Sequence, residues 1–364
     1  MSSGPEGLEG VIAARTVLSE VDGEAGRLVI RGLDLGQVCG RMSFESAVRL
    51  LWDGFFENLP HDLAPALGEA RARVFSQVSA LDAVLLGREP IEAVRALIAR
   101  LPDGDDLETA LELLAAPAVF TAAVTRVRRG EDPVAPDAAL GHAADVLRMI
   151  NGMPPSADAA WALDAYLATV MDHGLNASTF AARVAASTRP GLTSAVLAGL
   201  STLKGPLHGG APGPVIDMLD EIGEAAGARA WLEAALDRGD RLMGFGHRIY
   251  RVRDPRADAL KAVVARLNQS SNAWPGRLEL AEAVEAAALA VLRERKPGRS
   301  LDVNVELYTA LLLEALSFPR DAFTCVFAMG RTAGWLAHAR EQVATGRIVR
   351  PQSTYVGPRP SLAA

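Results

Sequence analysis

Cysteine is nearly absent: Cys39 and Cys325 are the only two in 364 residues, far apart and without a C-x-x-C pattern. That excludes a disulfide framework and points to a reducing compartment, here the cytoplasm. The six histidines show no ligand spacing, so no metal is expected. Aromatic residues make up only 5%, and their place in the core is taken by alanine and leucine, a bias that favours helix. Positive charge is in deficit, 37 Lys and Arg against 44 Asp and Glu, for a net charge of -7. A nucleic-acid partner is thereby disfavoured, and any positive potential has to be local. Long hydrophobic runs are missing too. Residues 113–124 are interrupted by Pro117 and read as too short to span a bilayer, and the N-terminus has neither the basic nor the apolar region of a secretory signal. A soluble chain with no membrane partner is expected. No tandem repeat, Walker sequence or strand-linked G-x-G-x-x-G is present, which argues against a nucleotide fold.

The chain instead carries helix signals almost throughout, with 49% hydrophobic and 22% charged residues and room for one large or two smaller domains. Residues 10–32 place Val17, Val21 and Leu28-Val29-Ile30 around Asp22-Gly23, the pattern of a short hairpin and the only sheet of note. From Ser43, a plausible cap, Phe44, Ala47, Val48, Leu51 and Trp52 fall on one helical face. Helices are predicted over residues 91–101 after Pro90, over 109–128 with a break at Pro117, through Leu147 to Asn151-Gly152, and from Pro155-Ser156 to Met171. Residues 192–203 are apolar or small nearly all round, as in a central buried helix. Further helices follow over 215–226, 228–237, 255–267 and 278–295, then one capped by Asp302 or Asn304 and a last one capped by Asp321. In the last, Ala328, Gly330, Ala333, Gly334 and Ala337 form a small-residue stripe.

Chemistry concentrates in three stretches. Residues 244–256 frame His247 with Gly244 and Gly246, which permit positive φ or close backbone approach, and supply Arg248, Arg251, Arg253 and Arg256. Those guanidinium groups need anions, since unpaired buried charge costs several kcal/mol. A second glycine-framed histidine, His208, ends the 192–203 helix. A third stretch, Asn304-Val-Glu-Leu-Tyr308, puts Glu306 in a helix's first turn. Each admits a plainer reading: a solvated basic loop, a core histidine, or a carboxylate answering the helix dipole.

Together they resemble the citrate synthase family from end to end. Asp172-His-Gly-Leu-Asn-Ala-Ser-Thr-Phe180, Gly205-Pro-Leu-His-Gly-Gly-Ala211, Gly244-Phe-Gly-His-Arg248, Asp254-Pro-Arg256, Gly330-Arg-Thr-Ala-Gly-Trp335 and Arg350-Pro351 occur in the family's order and spacing. The entry segment is similar to that of the shorter bacterial and archaeal-type members. The resemblance implies an all-α, two-domain helical fold with a small N-terminal β-hairpin. Its large dimerisation domain covers residues 1–210 and 317–364, and a small, mobile, CoA-binding domain covers 211–316. It implies a homodimer, with which the small-residue stripe is compatible.

The implied reaction condenses acetyl-CoA with oxaloacetate to citrate and CoA, with a CoA thioester as co-substrate and no permanently bound cofactor. By the same resemblance Glu306 is the base, His208 hydrogen-bonds the enol oxygen and His247 polarises the ketone. Oxaloacetate is held by His173, supported by Asn176, and by Arg256, Arg331 and Arg350, the last contributed across the dimer interface. Arg251, one helical turn after His247, with Gly244 and Gly246, falls to CoA, while Arg248 and Arg253 read as solvent or domain-contact charges. One departure stands out: most members have Asp where this chain has Glu306. The extra methylene moves the carboxylate by about an ångström, a displacement worth on the order of a hundredfold in rate. Two alternatives therefore stay open, a 2-methylcitrate synthase using propionyl-CoA and a non-catalytic CoA- or dicarboxylate-binding member.

Overall fold

The computed structural model describes residues 6–8, 10–209, 212–247, 249–271, 276–298 and 301–358. Arg248 lies outside them, as do Gly210 and Ala211. Three short strands, β1 (Ser19–Asp22), β2 (Arg27–Ile30) and β3 (Leu33–Asp34), pair antiparallel in that order, Asp22 opposite Arg27 and Ile30 opposite Leu33. The expected hairpin is present. Asp22 Oδ1 accepts from the N–H groups of Glu24 and Ala25 and so holds its turn. The third strand, two residues long, is too short to show any periodicity.

Sixteen α-helices follow among the described residues: α1 (Leu35–Val38), α2 (Phe44–Trp52), α3 (Ala64–Phe75), α4 (Ala83–Leu86), α5 (Pro90–Ile98), α6 (Leu107–Arg128), α7 (His142–Asn151), α8 (Ala157–Val170), α9 (Ala177–Ala186), α10 (Leu192–Leu203), α11 (Pro212–Ile222), α12 (Ala228–Asp237), α13 (Pro255–Ser271), α14 (Arg277–Arg295), α15 (Val305–Ala315) and α16 (Phe323–Thr345). The all-α reading holds. Side-chain caps set several starts: Ser43 Oγ accepts from Ser46 N–H, Asp106 from Thr109 N–H, Ser156 from Ala159 N–H and Asn304 from Glu306 N–H. Periodicity announces neither α3 nor α9.

The core is organised around α6, which packs on α3, α5, α7, α10 and α16. Its expected break at Pro117 does not occur. Proline removes one intrahelical N–H and crowds the preceding turn, but residues 113–125 are buried throughout and neighbouring helices hold the segment straight through. Thr121 Oγ1 donates to the Pro117 carbonyl. The unbroken helix is therefore long and apolar enough, by length and composition, to cross a membrane, contrary to the reading of residues 113–124 as too short. In this fold 78% of its most apolar window is buried inside the protein.

One other expectation is corrected. Asp321 does not cap α16; it lies in the 3-10 turn Arg320–Ala322 and pairs with Arg128 at 3.0 Å, while Ala322 occupies the cap position. The small-residue stripe of α16 serves a contact within the chain. A Cβ on Gly330 would stand 2.9 Å from the Leu167 carbonyl oxygen, and one on Gly334 only 2.3 Å from that of Met171. Glycine is thus required where α16 meets α8 and the start of the Asp172-His173 segment.

Candidate active site

The loop carrying His247 is fastened to the start of α15. Gly244 and Gly246 adopt φ of 84° and 82°, conformations that favour glycine. Between them, Phe245 forms an isolated antiparallel bridge to Val303. Gly246 N–H donates to the Asp302 carbonyl at 2.7 Å, Asn304 N–H to the Gly244 carbonyl at 2.9 Å, and Asn304 Nδ2 to the Gly246 carbonyl at 2.9 Å. Asn304 thus caps α15 with one end of its amide and grips the histidine loop with the other.

The backbone after His247 turns back on the ring. Ile249 and Tyr250 N–H groups donate to His247 Nδ1 at 3.0 and 3.1 Å, so Nδ1 is the accepting nitrogen and the neutral ring carries its proton on Nε2. Burial, reinforced by the Arg256 charge and opposed by Asp254, brings its pKa from 6.5 down to about 4. Arg256 Nη2 lies 3.4 Å from Nε2. Two donors facing one space call for an acceptor such as a carbonyl oxygen.

His173, at 5% exposure, joins this group edge-on, 5.6 Å between ring centroids from both His247 and Tyr250, with Nε2 3.2 Å from the Tyr250 hydroxyl. Burial and then the charges of Arg256 and Arg331 push it well below the ordinary histidine range. Asn176 does not support it. Its side chain caps α9, accepting from Ser178 and Thr179 N–H, because a short amide at that position satisfies the helix's orphan donors first.

His208 follows α10 in a tight turn whose Gly209 could not carry a Cβ, which would stand 2.5 Å from the Leu203 carbonyl oxygen. Its Nε2 faces α9, 2.9 Å from Ser178 Oγ and 3.3 Å from Ser178 N–H. A backbone N–H can only donate, so Nε2 accepts and the proton of the neutral ring sits on Nδ1. Ser178 Oγ itself accepts from Trp335 Nε1–H at 3.1 Å, and its one proton is shared between His208 Nε2 and Asn176 Oδ1, the latter at 2.8 Å.

The arginines divide sharply. Arg256, 4% exposed, is oriented by fully buried Asp254, with Nε and Nη2 donating at 3.0 and 2.8 Å. Asp254 Oδ2 also accepts from Val305 N–H at 3.2 Å, coupling α13 to α15. Arg331, 1% exposed, donates from Nε to the Val170 carbonyl at 2.7 Å, lies 4.7 Å from the centroid of the Phe327 ring, and has no ion-pair partner among the described residues. Burial and the repulsion of Arg256 bring its pKa down to about 10, against the pull of Asp172. A buried guanidinium without a carboxylate is a site waiting for an anion. Arg350 is not brought to this cluster; it is exposed in the segment after α16 and has no hydrogen-bond or ion-pair partner among the described residues. Arg251 lies in an irregular loop and not one helical turn on, with its N–H on the Gly23 carbonyl at 2.9 Å. Arg253 is no solvent charge: it pairs with Asp258 and Glu285 and stands 3.6 Å from Asp302.

Glu306 sits in the first turn of α15, its N–H on Asn304 Oδ1 at 3.0 Å. Burial raises its pKa from 4.5 to about 7, beyond what the opposing charges of Arg241 and Arg256 recover, with Asp254 adding to the rise. A carboxylate balanced at neutral pH is suited to proton transfer. Three supporting residues escape sequence reasoning: Ser178 behind His208, Tyr250 behind His173, and Trp335 behind Ser178. Ser178 and Trp335 stand inside quoted motifs, but only their packing gives them a task. Among the described residues no cluster of three or more His, Cys, Asp or Glu is arranged to hold a metal ion.

The chain is similar to known proteins over nearly its whole length. The family model described as "Citrate synthase, C-terminal domain" matches residues 7–352. A citrate synthase of Haloferax volcanii is 37% identical over 371 residues, covering 96% of this chain and 95% of its own length. A 2-methylcitrate synthase of Mycobacterium tuberculosis is 35% identical over 367 residues, covering 97% and 90%. A citrate synthase from the archaeon Thermoplasma acidophilum, solved as a ternary complex with carboxymethyl coenzyme A and oxaloacetate, superposes with a TM-score of 0.84 at 26% identity over 98% of this chain and 97% of its own. By sequence over nearly its whole length and by fold, this chain belongs to the citrate synthase family.

Proposed function

We propose that the protein condenses acetyl-CoA with oxaloacetate to give citrate and CoA. The observation that carries this reading is the pairing of a neutral, donor-ready His247 beside Arg256 with a Glu306 that titrates near neutrality. Oxaloacetate offers a ketone oxygen to His247 Nε2–H and carboxylates to Arg256, Arg331 and His173. Glu306 takes a proton from the thioester methyl group while His208 Nδ1–H hydrogen-bonds the forming enol oxygen. The enol carbon attacks the ketone, whose oxygen takes a proton from His247, and water then cleaves the citryl thioester to release CoA. Arg251 and the glycines at 244 and 246 serve the CoA side.

In the same reading the molecule is a cytoplasmic homodimer with residues 1–210 and 317–364 as the large domain and 211–316 as the small one. Support for the dimer comes from the exposed segment after α16, where Ile348, Tyr355 and Val356 present apolar side chains near the unpartnered Arg350. A partner's site would give that guanidinium its carboxylate.

The test is free-thiol release from acetyl-CoA in the presence of oxaloacetate, with citrate identified by mass. Binding of oxaloacetate without thiol release over hours would replace the enzyme with a binding protein. The likeness to a 2-methylcitrate synthase favours one second reading, propionyl-CoA as the acyl donor. One methylene in an apolar pocket is worth about 1–3 kcal/mol, so the two thioesters have to be competed in a single assay. A higher kcat/KM for propionyl-CoA would transfer the assignment.

A further inference from the structure

We propose that the turn between β1 and β2 is a clamp on the loop after His247, and that Gly23 and Gly26 are positioning residues for the His247 ring. The proposal rests on the reading of His247 as the group facing the ketone. The contact is one of backbone against backbone. Arg251 N–H donates to the Gly23 carbonyl at 2.9 Å. A Cβ on Gly23 would stand 2.3 Å from the Ile249 carbonyl oxygen and 2.9 Å from its carbon; one on Gly26 would stand 2.7 Å from Val252 Cγ2 and 3.2 Å from the Arg253 carbonyl oxygen. Only residues without a side chain allow the two loops to lie this close.

What the turn presses on is the segment that sets the histidine's tautomer. Ile249, whose carbonyl meets Gly23, donates its N–H to His247 Nδ1, and Tyr250 supplies the second donor. Residues 249–254 form neither helix nor strand, and Ile249 and Val252 are each 43% exposed. The loop therefore needs holding from outside. Arg253, paired with Asp258 and Glu285, anchors its far end, and the turn anchors its near end. The turn is stiff in its own right, through the Asp22 carboxylate on Glu24 and Ala25 N–H. The titratable groups around His247 are Arg256, Asp254, His173 and Tyr250, and none of them is an acceptor for Nδ1. If the turn is forced back, Nδ1 loses its donors and nothing keeps the proton of the neutral ring on Nε2 alone.

The experiment uses the full chain with isotope-labelled histidine, following the ring nitrogens of His247 by NMR, assigned by loss of its signals in His247→Asn. Wild type should keep a single Nε2–H tautomer without titrating between about pH 5 and 8. In Gly26→Ala the ring should populate both neutral tautomers, with kcat lowered about tenfold or more and KM for oxaloacetate changed less. Val252→Ala added to Gly26→Ala removes the Cγ2 it strikes and should restore both signals and rate. Gly32→Ala, at φ 84° beside the same sheet but with nothing within 4 Å, controls for backbone strain alone. Folded Gly23→Ala and Gly26→Ala proteins that keep the wild-type ring signals, or a Gly32→Ala protein that shifts them equally, would overturn the proposal. Should Gly23→Ala fail to fold, the Gly26 single and double variants decide it. Failure of the condensation reading shows separately, as wild type without thiol release, and leaves the NMR outcome standing.

Discussion

Phe245 and Val303 form a single antiparallel bridge, and that bridge puts the loop bearing His247 against the helix bearing Glu306. With Asn304 gripping the Gly246 carbonyl and Asp254 joining Arg256 to Val305 N–H, the His247 loop and the start of the Glu306 helix are fastened by side-chain-to-backbone contacts between segments far apart in sequence. The consequence for pH is direct. In the proposed mechanism Glu306 has to be ionised, and burial brings its pKa up to about 7, while His247 is neutral above about 4. The pH profile of kcat/KM should therefore rise through about 7 to a plateau. A profile already flat from pH 5 would mean that Glu306 is not the base.

Ser178 holds one nitrogen of His208 while its own oxygen is pinned by Trp335. Ser178→Ala keeps the backbone N–H contact but loses the hydroxyl. We expect kcat to fall about 10- to 100-fold with KM for oxaloacetate nearly constant, since misplacing a reacting group by about an ångström can cost about a hundredfold. Unchanged kcat would reduce Ser178 to a helix-start residue.

Arg331 is a buried charge with no counter-ion among the described residues, so the ligand-free fold bears a cost that a bound dicarboxylate removes. Oxaloacetate should raise Tm in wild type. Arg331→Met should leave ligand-free stability equal or higher and abolish that rise. Retention of the rise would place the anion elsewhere.

Arg350 has no partner among the described residues of its own chain, which makes complementation decisive. In the proposed homodimer, Arg350→Ala and Glu306→Gln proteins should each be nearly inactive, and mixed dimers should recover activity in one of their two sites. Heterodimers proven by mass but showing no recovery would assign Arg350 to its own subunit's site.

Much of the site is legible in the sequence because its chemistry is carried by residues that leave local marks. Glycine flanking His208 and His247, arginine after His247, and Asn304 ahead of Glu306 all announce backbone constraint or charge. Their supports leave no such mark. Ser178 lies 30 residues from His208, and Tyr250 lies 77 from His173, so only tertiary packing reveals either contact. The failures of helix reading have the same origin. Pro117 breaks a helix by local rules, but α6 is buried all round from residue 113 to 125, and tertiary burial outweighs the one backbone hydrogen bond lost. The small-residue stripe of α16 does mark a close approach, but to α8 of the same chain, because spacing defines a face and not what covers it.

Glu306 itself ties activity to stability with opposite signs. Its folded pKa, about 7, lies above its ordinary 4.5, so the folded state binds the proton more tightly than the unfolded one. The stabilisation is fully present below about 4.5 and is lost as pH rises through about 7. Glu306→Gln removes that titration. Relative to wild type it should gain on the order of 2–3 kcal/mol between pH 4 and 8, since each tenfold difference in proton affinity is worth about 1.4 kcal/mol. The same substitution should lower kcat by several powers of ten with oxaloacetate affinity little changed, the mark of a group acting in the transition state. Glu306→Asp separates reach from basicity: if the backbone around Asn304 is fitted to glutamate, the shorter acid is slower, and otherwise it is faster. Denaturant melts of both variants at the two pH values, run beside thiol release, check each arm. A Gln variant with full activity removes Glu306 from the mechanism, and one without the pH-dependent gain shows that the carboxyl is not raised by burial.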